Sequence, residues 1–336
     1  MIIQEDSIDD LLNVTFREII ENGEEIKSST KGPNKELRNI RLVLNNPRSR
    51  ISLSETRSTF ISCIGEFLWY YSSSDDINFI KYYIKDYWKF IKYNENENTP
   101  VRSAYGPRIF GERNQFEAIK KLLVDKKHSR RAVIAIYSID DVFFPNSGDI
   151  PCTCNLQFFI REGKLDLTVT MRSNDAYAGL VHDIFSFTMI QELMWASLKI
   201  DYPELILGNY THFVGSLHLY NNKLLLVEHY LQKEGWQSKS FMHPIEPRLL
   251  TSDINEVMTL ERELRVNRSC DEKVIENIKD VFWKEIATLL IAYFYITNED
   301  SEKLEGLLNH CTSDLVTNFL NKKIYALEDQ LIRKNI

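Results

Sequence analysis

Residues 165, 167, 169 and 171 are apolar while 166, 168, 170 and 172 are polar, and this alternation predicts a strand over 164–171. A second run, 155–161, precedes it across Glu162-Gly163, so the two form a hairpin. Further strands are expected at 38–44, ended by Pro47, at 132–137 and at 211–220. Helical spacing dominates elsewhere. Ile61, Ile64, Phe67, Leu68 and Tyr71 share one face of a helix over 59–71 that also carries Glu66 and Trp69. Helices are also expected at 7–22, 75–93, 180–198 and 224–234, the third almost wholly apolar and therefore buried. Residues 23–36 and 94–100 read as polar loops. Beyond residue 250, Ser269-x-x-Glu272 has the form of a capping box ahead of apolar positions 274, 275, 278, 281, 282, 286 and 289. No internal repeat is present. Interleaved strands and helices of this kind predict an α+β fold, a mixed sheet covered by helices. The expected division is a catalytic domain over 1–250 and a helical extension over 251–336 packed on the same domain.

Composition narrows the class of function. At 336 residues, 43% hydrophobic and 26% charged, the chain has the balance of a soluble globular protein. A formal net charge of −7 argues against polymeric nucleic acid as the main partner, which demands a concentrated basic surface. A mononucleotide needs only a few arginines. The N-terminus lacks the basic and apolar regions of a signal peptide, and the apolar stretch 286–296 is too short for a bilayer, so a cytoplasmic protein without membrane contact is expected. Cysteines at 63, 152, 154, 270 and 311, an odd number, suggest reduced thiols. Cys152-x-Cys154 has no second pair at zinc-site spacing, and no metal is expected.

Chemistry concentrates in ordered motifs: Pro151-Cys152-Thr153, Met171-Arg172-Ser173-Asn174-Asp175, Gly179, and His182-Asp183-Ile184-Phe185. Ahead of them stand Gly65-Glu66-Phe67-Leu68-Trp69, Tyr105-Gly106 and Ser129-Arg130-Arg131, and behind them His218-Leu219-Tyr220. This series resembles the thymidylate synthase superfamily. The resemblance covers roughly residues 20 to 230 and implies a thymidylate synthase-like fold.

What the resemblance implies for individual residues is specific. Cys152 would be the nucleophile, Arg172 its activating cation and a phosphate ligand, and Ser173 a second phosphate ligand. Arg130 and Arg131 would reach across a homodimer to the partner's nucleotide phosphate, as paired guanidiniums suit a dianion. Lys31 would replace a phosphate-binding arginine, keeping the charge and losing the fork. Glu66 would organise protons around the pyrimidine, and a carboxyl on an apolar helix should have a perturbed pKa. Tyr105 belongs to the active-site turn, and His218 and Tyr220 contact the sugar. Asp175, Trp88 and Gly179 would face the cofactor, 5,10-methylenetetrahydrofolate.

Asp183 stands where the family's Asn reads uracil. Uracil offers an N3 donor and an O4 acceptor, which an amide satisfies; cytosine offers an N4 amine and an unprotonated N3, so a carboxylate can accept from N4 and, if N3 gains a proton, from N3 as well. The substitution therefore resembles the deoxycytidylate or cytidylate 5-hydroxymethylase branch. Thr153 in place of His, Asn174 in place of the common Cys, and the chain end 331–336 in place of an apolar closing tail depart from the synthases in the same direction. A wetter site would favour attack of water over hydride. The implied reaction is 5-hydroxymethylation of CMP or dCMP through a Cys152–C6 adduct. Methylation of dUMP or dCMP, and a non-catalytic nucleotide-binding homologue, are the rivals.

Overall fold

The computed structural model describes residues 1–29, 31–54, 57, 59–91, 100–143, 149–234 and 241–334. The loop expected at 94–100 lies, but for Pro100, outside the described residues. The chain divides into two compact units, Met1–Ser240 and Phe241–Ile336.

The first unit is built on one seven-stranded mixed sheet. Its strands are β1 (Ile2–Glu5), β2 (Glu24–Ile26), β3 (Asn34–Leu44), β4 (Val133–Ala135), β5 (Thr153–Arg161), β6 (Lys164–Asp175) and β7 (Ile206–Tyr220). They run in the order β1-β3-β7-β6-β5-β4, and β2 pairs with the first residues of β3. β1 lies parallel to β3 and β6 parallel to β7, while the remaining pairs are antiparallel. This is the α+β fold with a mixed sheet that the sequence pattern implies. Leu165, Leu167, Val169 and Met171 of β6, with Tyr210, His212 and Val214 of β7, are buried under the Leu180–Leu198 helix. Across the β5–β6 turn Glu162 has φ 49 and Gly163 φ 74, the left-handed pair that a tight hairpin requires.

Two helices carry the functional residues. In Phe60–Tyr71 nearly every position is buried, including Glu66. A Cβ on Gly65 would fall 2.1 Å from the Tyr83 ring, so glycine there lets the Ile77–Tyr83 helix pack closely beside Glu66. Leu180–Leu198 is buried on all sides with Asp183 in its first turn. Gln191 Nε2 donates to the carbonyls of Leu165 and Asn209 at 3.0 and 3.1 Å, serving β6 and β7 near the irregularity in their pairing.

Several expected elements change their limits. The helix over 75–93 is two pieces, Ile77–Tyr83 and Trp88–Ile91, because Ile84 leaves helical geometry and Tyr87 packs edge-on against Trp69 at 5.4 Å. β3 begins four residues earlier than the 38–44 alternation suggests, β6 runs on to Asp175, and β7 starts at Ile206. The strand over 132–137 shortens to Val133–Ala135.

The second unit is helical, with Leu250–Arg262, Val281–Thr297, Ser301–Gly306 and Asp314–Lys334 as its larger helices. The capping box at Ser269 and Glu272 does not form. Glu272 instead accepts the Tyr295 hydroxyl proton, and Asp280 caps the Val281–Thr297 helix through the Phe282 amide at 2.8 Å. Among the described residues no helix is long and apolar enough to cross a membrane.

One ion pair ties the approach to the Glu66 helix to the Asp183 helix. Glu192, fully buried, accepts from Arg48 Nε at 2.6 Å and from the fully buried Arg50 guanidinium. Replacing Glu192 with Leu leaves the Arg50 charge buried without its counter-ion, a loss of about 3–5 kcal/mol. Urea unfolding of Glu192→Leu measures this; a change below about 1 kcal/mol would show that the pair contributes little.

Candidate active site

A cavity of about 910 Å³ opens in the first unit where the ends of β6 and β7, the start of β5 and the first turns of three helices converge. It collects Lys31, Glu66, Tyr105, Cys152, Arg172, Ser173, Asp175, Gly179, Asp183, His218 and Tyr220 into one lining, although these residues span 190 positions of sequence. Strand register explains the grouping, since Ser173 pairs with Ser216 and Asp175 with His218 across β6 and β7.

Cys152 stands one residue ahead of β5. The Thr153 amide donates to the Tyr105 hydroxyl at 3.3 Å, which anchors this segment from behind. Arg172 Nε and Nη2 donate to the carbonyls of Pro151 and Ile150 at 2.9 and 3.2 Å. The guanidinium is thereby fixed through the backbone of the segment that leads into Cys152. Burial pushes the Cys152 thiol up; Arg172 and Lys31 oppose the shift and Asp183 adds to it. At the Cys152 thiol, burial thus outweighs the opposing charge of Arg172.

Two carboxyls face the same space. Glu66 is pushed up to about 7 by burial, against the Tyr70 hydroxyl that donates to Oε1 at 2.7 Å. Asp183 is held well above the ordinary carboxyl range by burial first and by Glu66 second, while a hydrogen bond from Asn174 opposes the rise. Asp175 closes the turn after β6, its Oδ1 accepting from the amides of Tyr177 and Ala178 at 2.9 and 3.0 Å.

His182 also lines the cavity, but both its ring nitrogens are engaged. Nδ1 donates to the Ala178 carbonyl at 3.1 Å and Nε2 accepts from Ser62 Oγ at 2.9 Å. Burial lowers its pKa to about 4, so it stays neutral.

Three residues singled out from the sequence lie elsewhere. Arg130 and Arg131 are exposed and line no part of this cavity. Trp88 is half-buried under the Lys89 ammonium, and its neighbour Tyr87 lines the cavity in its place. Among the described residues no cluster of His, Cys, Asp and Glu is arranged to hold a metal ion.

The sequence reading overlooked Arg57, Tyr87, Tyr177 and the pair Ser62–His182. Arg57 Nη2 donates to the Tyr177 carbonyl, its guanidinium lies over the Tyr177 ring at 5.1 Å, and Nε and Nη1 are buried without a partner among the described residues. Nothing in the local pattern at 57 distinguishes it from an arginine in a surface turn.

Comparison with known proteins agrees with this geometry. Residues 12–261 match the family model described as thymidylate synthase. Thymidylate synthases of Listeria monocytogenes serovar 1/2a (strain ATCC BAA-679 / EGD-e) and Listeria innocua serovar 6a (strain ATCC BAA-680 / CLIP 11262) are each 27% identical to it over 120 residues. That segment is 36% of this chain and 36% of each relative, so the match spans about a third of the relatives' length. Since the family model takes in 250 of the 336 residues, the chain belongs to the thymidylate synthase family.

Proposed function

We propose that this chain transfers a one-carbon unit to C5 of a cytidine monophosphate, CMP or dCMP, and releases the 5-hydroxymethyl product. The observation that carries the reading is Asp183, a buried carboxyl aimed into the cavity on the same lining as Cys152. With its pKa raised, Asp183 enters the encounter as a neutral acid, one O–H donor and one carbonyl acceptor. Cytosine N3 accepts the first and the N4 amine donates to the second, so the carboxyl brings the proton that N3 lacks.

The rest of the lining has roles consistent with this. Cys152 Sγ adds to C6, which makes C5 nucleophilic and divides one difficult substitution into easier steps. Glu66, about 7 and hydrogen-bonded to Tyr70, is poised to pass protons to and from the base near neutral pH. Arg172, Ser173 and Lys31 form the phosphate end, and His218 and Tyr220 the sugar wall. When bound, 5,10-methylenetetrahydrofolate supplies the one-carbon unit. The lining of the 910 Å³ cavity also includes Ile84, Tyr87, Ile91, Asp175 and Gly179, apolar and polar groups that would suit a flat ring system. Water attack on the exocyclic carbon, with cleavage of the C6–S bond, completes the cycle.

A homodimer with shared phosphate sites fits the surface. On the side of the sheet turned away from the Leu180–Leu198 helix, Val133 and Phe213 are exposed and Phe159, Thr168 and Thr170 half-buried. Arg130 and Arg131 sit just ahead of β4 at the edge of that face, placed to serve a second subunit.

Incubation with CMP, dCMP, UMP or dUMP plus methylenetetrahydrofolate, followed by product mass, tests the reading. A hydroxymethyl cytidylate is expected. A methylated product, or turnover of uridylates alone, would overturn it, and binding without turnover would indicate a non-catalytic homologue. Cys152→Ala should abolish turnover and retain nucleotide binding, while Cys154→Ala should be mild.

The Glu66 shift also sets a stability signature. Its carboxyl goes from 4.5 in the unfolded chain to about 7 when folded, so the folded state holds the proton longer. The associated stability is complete below 4.5 and is lost as pH rises through about 7. Denaturant unfolding of the nucleotide-free protein should therefore show stability falling across that window. Glu66→Gln should flatten the fall, leaving the part that belongs to Asp183; an unchanged slope would refute the assignment.

A further inference from the structure

Among the described residues four carboxyls line the cavity, and the proposed chemistry uses Glu66, Asp175 and Asp183 but not Glu36. Glu36 lies on β3 directly opposite His218 of β7, and His218 is in turn opposite Asp175 of β6. Facing residues on neighbouring strands hold their Cβ atoms about 5 Å apart on one side of the sheet, so the three form a row across three strands. Burial lowers the His218 pKa, and the carboxyls of Asp175 and Glu36 on either side oppose the lowering. Strand alternation buries Leu37 and leaves Glu36 half-buried on the cavity lining. Ser216, two residues before His218 and on the same face of β7, donates its hydroxyl to Glu36 Oε1. Oε2 has no hydrogen-bond partner among the described residues. The residue escaped notice in the sequence because it closes the polar run 23–36, whereas β3 already begins at Asn34.

An acceptor in this position calls for a donor when the site fills. A carboxylate with an idle oxygen opposes an incoming dianion unless the ligand brings a proton donor to it. A cytidylate has donors at two places, the N4 amine of the base and the hydroxyls of the sugar. The base edge is assigned to Asp183, and Glu36 adjoins His218 of the sugar wall. Deoxyribose presents one ring hydroxyl, which the imidazole and the Tyr220 phenol can hold. Ribose adds a second at C2′, and a carboxylate suits such a hydroxyl, as the acidic residue of dinucleotide-binding folds does. We infer that Glu36 reads the sugar: Oε2 accepts the 2′-hydroxyl while Ser216 steers the carboxyl through Oε1, which makes CMP the preferred substrate over dCMP. The inference rests on reading the cavity as a cytidylate site. Because the acceptor carries charge, the bond is of the stronger kind and one such contact discriminates measurably.

Calorimetry of CMP, dCMP, UMP and dUMP on full-length Cys152→Ala protein, where no adduct forms, tests it. CMP should bind about tenfold or more tighter than dCMP, the size of one hydrogen bond to a charged group. Adding Glu36→Leu should bring that ratio to within about twofold of one, chiefly by weakening CMP. Glu36→Gln, which keeps one acceptor oxygen and loses the charge, should fall in between. Neither variant should move the ratio of cytidylate to uridylate, since Asp183 reads the base. Binding of dCMP as tightly as CMP, or a ribose preference that survives both variants, would overturn the role of Glu36 and leave the base reader standing. A preference for uridylates would sink the base reading instead, and the ratio of UMP to dUMP would then judge Glu36 through the same variants. Binding of none of the four would remove both. Should Glu36→Leu not fold, Glu36→Gln decides alone: an unchanged ratio overturns the inference, and a fall of about threefold or more supports it.

Discussion

Two carboxyls, Glu66 and Asp183, are buried on the lining of one cavity, and most of the site's chemistry follows from that burial. Desolvation drives each toward its neutral form, and the charge of Glu66 adds to the shift at Asp183. The same desolvation holds Cys152 as a thiol and His182 and His212 as neutral rings. The cavity thus holds protons, and Arg172, fixed by backbone carbonyls, brings a cation to the same lining. The proposed mononucleotide would complement such a site from both ends, with a dianion for the arginine and a base edge for the acid.

The fold supplies this crowding through elements that are apolar for most of their length. Phe60–Tyr71 and Leu180–Leu198 are buried helices in which a single carboxyl interrupts the apolar surface near the cavity. Such interruptions are costly unless something compensates them, and Tyr70 and Asn174 are the compensating groups. Farther along the second helix the same problem at Glu192 is met by two arginines. The helix therefore carries one neutral carboxyl where chemistry is proposed and one charged carboxyl where it locks the chain leading to Glu66.

The sheet's hydrophobic half was legible in the sequence and its polar half was not. Alternation at 165–171 locates β6 because one face is buried under a helix, but from Arg172 to Asp175 the same strand turns polar as its side chains enter the cavity. β7 behaves likewise at Ser216, His218 and Tyr220, of which family resemblance singled out His218 and Tyr220 where periodicity could not. The single helix read over 75–93 failed for a tertiary reason, since Tyr87 is drawn toward Trp69 and the cavity. The capping box at Ser269 was a local signal defeated by the stronger one at Asp280. Arg57 was invisible because its buried surroundings, Phe16 and Tyr177, lie 41 and 120 positions away in the chain.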